Sequence, residues 1–235
     1  MSADDRLQEI EIRRIDSKRD ESVLDHVVTE AEVAIRIRDE IVIRAACSPG
    51  DLETWALGYL RSEGWIETLR DAEVGCEEEG IVHVRIHRSK PTPHVESIPD
   101  DRTFEMETIQ AALRALTERA TLFGKTGGAH VMGFADASGL QVHAEDVCRT
   151  CALERAIGEA VRRELDLGCM VALLSSRVPL RLLEKLARCR IPVAVAVSAP
   201  TAQAVRRARE LRMGLVGFAR ENRLNVYAHG WRIGQ

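Results

Sequence analysis

Two cysteines three residues apart, Cys148 and Cys151, stand in the stretch "EDVCRTCALERAIG" that runs from Glu145 to Gly158. The apolar spacing that follows predicts a helix from near Cys148 to near Leu165. At positions i and i+3 the two thiols share one face of it. The unpaired N–H groups and the dipole at a helix start favour a thiolate, and Arg149 adds positive charge. This is a setting for a nucleophilic or sulfur-carrying thiol. The same pair supplies half of a zinc site, structural or hydrolytic, with His143 or His130 as a further ligand. The third alternative is a plain helix start with two small buried side chains.

His143 and Glu145 also put an H-x-E just before the pair, an order found in zinc deaminases. In those enzymes a whole crossover separates the two pieces, whereas here only Asp146 and Val147 intervene. No second C-x-x-C follows, so no tightly bound metal is expected. The remaining cysteines, Cys47, Cys76, Cys169 and Cys189, are scattered and read as small buried hydrophobes.

Four further stretches suit an anionic ligand. In "KTGGAH", Lys125 and Thr126 precede Gly127 and Gly128, whose backbone lets a ligand approach its N–H groups; His130 offers a hydrogen bond or a proton relay. "SSR" ends on Arg177. "SAPT" makes Ser198 or Thr201 a helix cap, a place where phosphates dock. "ARENR" sets Arg220 and Arg223 around a turn, where two guanidiniums suit a diphosphate or a guanine edge.

The elements that must position these residues follow from periodicity. Residues 1 to about 25 read as a loose arm or edge strand, and 31–47 as a β-hairpin around Asp39 and Glu40. A helix over 48–66 takes Ser48 as its cap and Pro49 in its first turn. Residues 80–88 alternate as a strand, with His83 and His87 on its polar face. The proline-rich stretch 89–101 is a linker. A helix over 104–123 follows, then a hairpin turning at Ala137–Gly139. Buried strands alternate with helices thereafter, which predicts a partly parallel sheet covered on both faces. In such sheets ligands bind beyond the carboxyl ends of the strands, where the four loops fall. The division expected is an N-terminal α+β portion over 1–100 and an α/β core over 101–235.

The net charge is −4 and aromatics make up 4% of the 235 residues, which argues against a general nucleic-acid partner. No segment is apolar for long enough to span a membrane, and the first residues lack a signal-peptide core. A cytoplasmic protein with reduced thiols is the expectation.

Taken in order, "TGGAH", "EDVxRxxALxxAIG", "SxR", "IPVxVxVSAPTxxAV" and "LxGFARxxxxNVYxHxxRI" resemble the formate dehydrogenase accessory sulfurtransferases, the FdhD-type proteins. "EAEVAIRIRDE" and "PGDLETWALGYLRSEGWI" are similar to that family's early strand pair and first helix. The resemblance implies a cytidine-deaminase-like mixed-sheet core with a smaller N-terminal α+β portion, assembled as a homodimer. It implies sulfur transfer, as a cysteine persulfide, from a cysteine desulfurase to the molybdenum cofactor destined for formate dehydrogenase or a related molybdoenzyme. That cofactor, molybdopterin guanine dinucleotide, carries pterins joined by diphosphate to guanosine, and GDP would stand for part of it. The family's cofactor-contacting stretch matches Phe218, Ala219, Arg220, Glu221, Asn222 and Arg223.

Two departures matter. The family's carrier cysteines form a "CGxCG" loop before the helix leading to "TGG"; here that region reads "PTPHVESIPDDRTFEME", without a cysteine. Where the family has "EDVGRHNA", this chain has "EDVCRTCA", and "SGR" has become "SSR" with Ser176. If sulfur transfer persists, Cys148 is the nominal carrier and Cys151 the thiol that resolves its persulfide. If it has been lost, the chain holds cofactor or GDP without transferring sulfur.

Overall fold

The first two strands, β1 (Leu7–Ile15) and β2 (Asp20–Val28), pair with each other as an antiparallel ribbon. The structure is a computed structural model that describes residues 4–78, 80–87, 95, 97, 98, 101–220 and 223–234. Of the two readings for this stretch, loose arm or edge strand, the strand holds, as a two-stranded ribbon: β-branched residues recur through both segments, and Asp16 closes the turn by accepting from the N–H groups of Lys18 and Arg19.

Strands β3 (Ala31–Ile37) and β4 (Glu40–Cys47) form the predicted hairpin, with Arg38 at φ 55 in its turn. Helix α1 (Leu52–Glu63) follows. Its cap is Asp51, whose carboxylate accepts from the Thr54 N–H at 3.3 Å, and not Ser48. Ser48 and Pro49 lie outside the helix because the Ser48 hydroxyl is engaged elsewhere, accepting the Val147 N–H at 3.0 Å. Strands β5 (Ala72–Glu78) and β6 (Ile81–Ile86) complete a four-stranded sheet in the order β4-β3-β6-β5. α1 covers one face of it, packing Trp55, Leu57 and Leu60 onto Val33, Ile35, Val82 and Val84. β5 was not anticipated, because the glutamates of "DAEVGCEEEG" hide its alternation. Just past β6, His87 stays on the wet side, 3.3 Å from Glu73.

The helix expected over 104–123 is three elements. β7 (Phe104–Glu105) leads into α2 (Met106–Arg119), and the chain breaks at Ala120 (φ −76, ψ 71) before the short α3 (Thr121–Thr126). Glu145 imposes the break by drawing the N–H groups of Leu122 and Phe123 out of register with α2.

The larger sheet contains β8 (His130–Asp136), β9 (Gly139–Asp146), β10 (Val171–Leu174), β11 (Val193–Ala196), β12 (Gly214–Arg220) and β13 (Arg223–Ala228). Their order is β13-β12-β11-β10-β8-β9; β10, β11 and β12 run parallel, and β8, β9 and β13 join antiparallel. Helices α4 (Arg149–Arg162), α5 (Leu180–Arg188) and α6 (Ala202–Glu210) connect its strands. A last short strand, β14 (Ile233–Gly234), pairs with β7.

The strand pattern decides how the sheet is covered. Ala172, Leu174, Ala194 and Ala196 point to the α4, α5 and α6 side, while Val171, Leu173, Val193 and Val195 point to α2. Both faces are dry, as expected for near-continuous apolar strands. No helix among the described residues is long and apolar enough to cross a membrane.

The smaller sheet is fastened to the larger one through α1 and α4. A Cβ built on Gly58 would come 1.6 Å from the Glu154 carbonyl oxygen, and one on Gly158 1.9 Å from that of Thr54. Glycine at both positions lets the two backbones touch, which fixes the N-terminal turn of α4 against the chain that enters α1.

Candidate functional site

Register brings the loops chosen from sequence to one edge of the larger sheet. β10, β11 and β12 end there, and His130 at the start of β8 pairs with Asp146 at the end of β9. Ser175 is hydrogen-bonded to Val131 through both its N–H and its hydroxyl, and Arg220 pairs with Arg223 across the last hairpin. The N-termini of α4, α5 and α6 open at this same edge, so three helix dipoles present their positive ends to it. Cys148 follows β9 at one end of the row and Arg223 starts β13 at the other. Five strand spacings separate them, about 24 Å.

Cys148 is the N-cap residue of α4, in extended conformation (φ −94, ψ 121) and half-buried. Asp146 holds that turn. One carboxylate oxygen accepts the N–H groups of Cys148 (2.8 Å) and Ser48 (3.2 Å); the other accepts Arg155 Nε at 2.7 Å. Arg155 Nη1 and Nη2 then donate to the carbonyls of Gly50 and Ser48 at 2.7 and 2.5 Å, and the Val147 N–H donates to the Ser48 hydroxyl at 3.0 Å. A buried ion pair therefore clamps the α1 entry segment onto the α4 N-terminus. Removing one partner of such a pair leaves an uncompensated charge.

Cys148 is pulled down to about 6, because the Cys151 thiol donates to it and the Thr150 and Cys151 N–H groups face it; burial and the Asp146 carboxylate oppose the shift. Neither N–H makes a formal capping bond, so their effect is that of the helix end. Arg149 also bears on His130, lowering it. Cys151 is pushed far up, because it donates to Cys148 and to Cys47 and is itself buried. Cys47 is lowered by that contact against burial and the Asp146 charge, with Arg155 helping. The site thus has a third thiol that sequence reading had set aside as packing. The only signal for it was indirect: Cys47 precedes the "SPGD" entry to α1, and Arg155, its partner, lies in the same stretch as the other two cysteines.

The zinc arrangement is not assembled. Among the described residues no group of three His, Cys, Asp or Glu side chains is placed to hold a metal ion. His143 instead lines a cavity of about 420 Å³ with Arg6, Arg119, Gln141 and Arg163, which Gly50 and Arg155 of the clamp also border. Burial and Arg119 lower its pKa. Glu145, the glutamate of that H-x-E, caps α3, accepting from the Leu122 and Phe123 N–H groups at 2.9 and 2.7 Å.

"KTGGAH" differs from the expected open cradle. Lys125 and Thr126 close α3, Gly127 (φ 64) is its C-cap, and the Gly127 and Gly128 N–H groups donate to Phe123 O and Thr126 Oγ1 at 2.7 and 3.0 Å. These donors are spent within the chain because the short helix continues to Thr126. His130, next to it, is kept neutral by burial and by Arg149.

At the far end, Thr201 caps α6 by accepting the Ala204 N–H at 3.3 Å, and Ser198 O receives the Phe218 N–H. Phe218 sits at φ 49, a costly conformation for a residue with a side chain, inside a bulge of β12. The bulge lies so close to the "SAPT" loop that a Cβ on Gly217 would be 2.7 Å from Pro200. Ala219 is buried beneath it. Arg220 Nη1 donates to the carbonyls of Val197 and Ala219, while Arg177 and Arg223 stand exposed. Glu221 and Asn222 lie outside the described residues.

A family model described as the FdhD/NarQ family matches residues 28–98 and 72–234. The sulfur carrier protein FdhD of Bordetella parapertussis is 32% identical over 241 residues, which cover 89% of this chain and 87% of that protein. The protein of the same name from Xanthomonas axonopodis pv. citri is 29% identical, covering 94% and 90%. A crystal structure of a formate dehydrogenase accessory protein from Desulfotalea psychrophila superposes with a TM-score of 0.86 over 97% of this chain and 99% of that one, at 22% identity, so it shares the fold.

Proposed function

The chain belongs to the FdhD/NarQ family, and from that premise we propose that it is a sulfur carrier for formate dehydrogenase maturation that uses Cys148 in place of the missing loop cysteines. The observation that carries this is the thiol's setting: half-buried at a helix N-terminus, hydrogen-bonded by Cys151 and held near 6. In loading, the Cys148 thiolate attacks the outer sulfur of a donor's cysteine persulfide. The donor's S–S bond breaks, its cysteine leaves as thiolate, and Cys148 becomes the persulfide. In release, Cys151 attacks the Cys148 sulfur. The persulfide S–S bond breaks, a Cys148–Cys151 disulfide forms, and the outer sulfur leaves as hydrosulfide with the Cys151 proton.

The acceptor in this reading is the molybdenum cofactor, treated as substrate. The three helix N-termini and exposed Arg177 and Arg223 suit its diphosphate, and the length of the edge suits a dinucleotide. Thr126, Gly127 and Gly128 would contribute surface rather than N–H donors, because those donors are already bonded. A cysteine desulfurase as donor, a homodimer, a cytoplasmic setting, a cytidine-deaminase-like lineage for the core and a domain division near residue 100 belong to the same proposal.

Complementation tests it. In cells lacking their own carrier, the wild-type chain should restore formate dehydrogenase activity, and a Cys148→Ala, Cys151→Ala double variant should not. Restoration by the double variant would refute the carrier assignment. Saturable GDP binding by a chain that accepts no sulfur would identify a binding protein instead.

A further inference from the structure

Cys47 has no part in the two steps above, yet it is built into the site. It ends β4 with no exposed surface and packs in one cluster with Cys151, Trp55 and Leu57, against Cys148. Arg155 Nη2 lies 3.8 Å from its sulfur, and the neighbouring Ser48 is fixed to Asp146, Val147 and Arg155 by the clamp already described. Cys151, also buried, packs in this cluster with Cys47, and Cys148 packs against it. The three thiols share that cluster, Cys148 half-buried at its margin and Cys47 and Cys151 within it.

We propose that Cys47 is the terminal thiol of a three-cysteine relay: it takes over Cys151 from the Cys148–Cys151 disulfide and so frees Cys148 to be loaded again. This rests on the reading of Cys148 as carrier and deepens it. Cys47, whose thiol donates to the Ser48 carbonyl at 3.5 Å beside the Arg155 guanidinium, gives up its proton to solvent and attacks the Cys151 sulfur. The Cys148–Cys151 bond breaks, a Cys47–Cys151 bond forms, and Cys148 leaves as thiolate into the hydrogen-bonding environment of the helix end. Over both steps two thiols are oxidised to one disulfide, the outer sulfur is reduced to hydrosulfide, and the Cys151 proton departs with it. No oxidant beyond the loaded sulfur is needed. The bulk of the reductant-accessible surface then belongs to Cys148, while the disulfide sits in the core.

The test uses the full chain. It is pulsed with desalted, persulfidated cysteine desulfurase or, separately, with inorganic polysulfide, then alkylated without reductant and mapped by mass spectrometry. The wild type should show a Cys47–Cys151 disulfide with Cys148 alkylatable. With excess donor it should acquire two sulfurs per chain, one released as hydrosulfide and one retained on Cys148. Cys47→Ala should stop at a Cys148–Cys151 disulfide and acquire one. The wild-type connectivity decides the matter even if the variant folds poorly. A Cys148–Cys151 disulfide with Cys47 alkylated in loaded wild type overturns the relay and leaves the carrier reading intact. Loading of Cys148 by polysulfide but not by the desulfurase, followed by Cys47–Cys151 formation, supports the relay and overturns the assigned donor. Failure of both donors to load Cys148 overturns both.

Discussion

Replacing Cys151 with alanine should move the reactivity of Cys148 in a way that separates acidity from nucleophilicity. The Cys151 thiol is the largest influence holding Cys148 near 6, so Cys151→Ala should send the midpoint up toward the ordinary cysteine value of about 8.5. At pH 7 a thiol of midpoint 6 is about 90% thiolate, and one of 8.5 about 3%, a gain of roughly 30-fold. Nucleophilicity falls with acidity, at a slope of about 0.4–0.5, so the same change costs roughly 10- to 18-fold in attack on a disulfide. The two nearly cancel, and the net advantage at pH 7 is only about two- to threefold. The pH profile is therefore the diagnostic. With a small chromogenic disulfide, in a background carrying Cys76→Ser and Cys169→Ser, the initial rate of the parent should level off above pH 7. The rate of Cys151→Ala should climb through pH 8 to 9 and end about tenfold higher. A parent whose rate still rises through pH 8.5, or two variants with the same midpoint, would refute the reasoning.

The helix crossing and the clamp give stability predictions. Gly58→Ala places a methyl group 1.6 Å from the Glu154 carbonyl oxygen, so it should lower unfolding stability by about 3 kcal/mol or more in urea titrations, with no new stable packing of α1 on α4. Asp146→Ala strands Arg155 beside the α1 entry, and a loss of about 3–5 kcal/mol is expected by the same assay. Arg223→Ala at the distal end should weaken GDP binding by about tenfold in calorimetric titration while leaving persulfide loading of Cys148 unchanged.

Strand alternation and helical stripes were legible wherever one period dominated, as in the 31–47 hairpin and the β10–β13 series with its helices. They failed where a distant side chain sets the boundary. Glu145 breaks the chain after α2 by capping α3, and Asp51 takes over as the α1 cap because the Ser48 side chain is drawn to Val147. Both decisions lie in contacts spanning 22 residues or more, which no local window contains. The candidate site divides the same way. The strand-end loops and the i, i+3 thiol pair could be read directly, since secondary structure alone places them. The use of the Gly127 and Gly128 donors depended on where α3 ends. The membership of Cys47 depended on the Gly58–Gly158 crossing, which brings β4 and α4 together over more than a hundred residues of sequence.

The central claim is that Cys148 carries the sulfur. Incubating the Cys151→Ala chain, whose Cys148 persulfide has no resolving thiol, with a cysteine desulfurase and one equivalent of cysteine, then blocking with an alkylating tag and mapping every cysteine-containing peptide, tests it most directly. The account predicts an added sulfur on Cys148 within the first turnover and none on Cys76 or Cys169. An added sulfur confined to another cysteine, or absent from Cys148 while the Cys148→Ala variant still takes up sulfur, would contradict it.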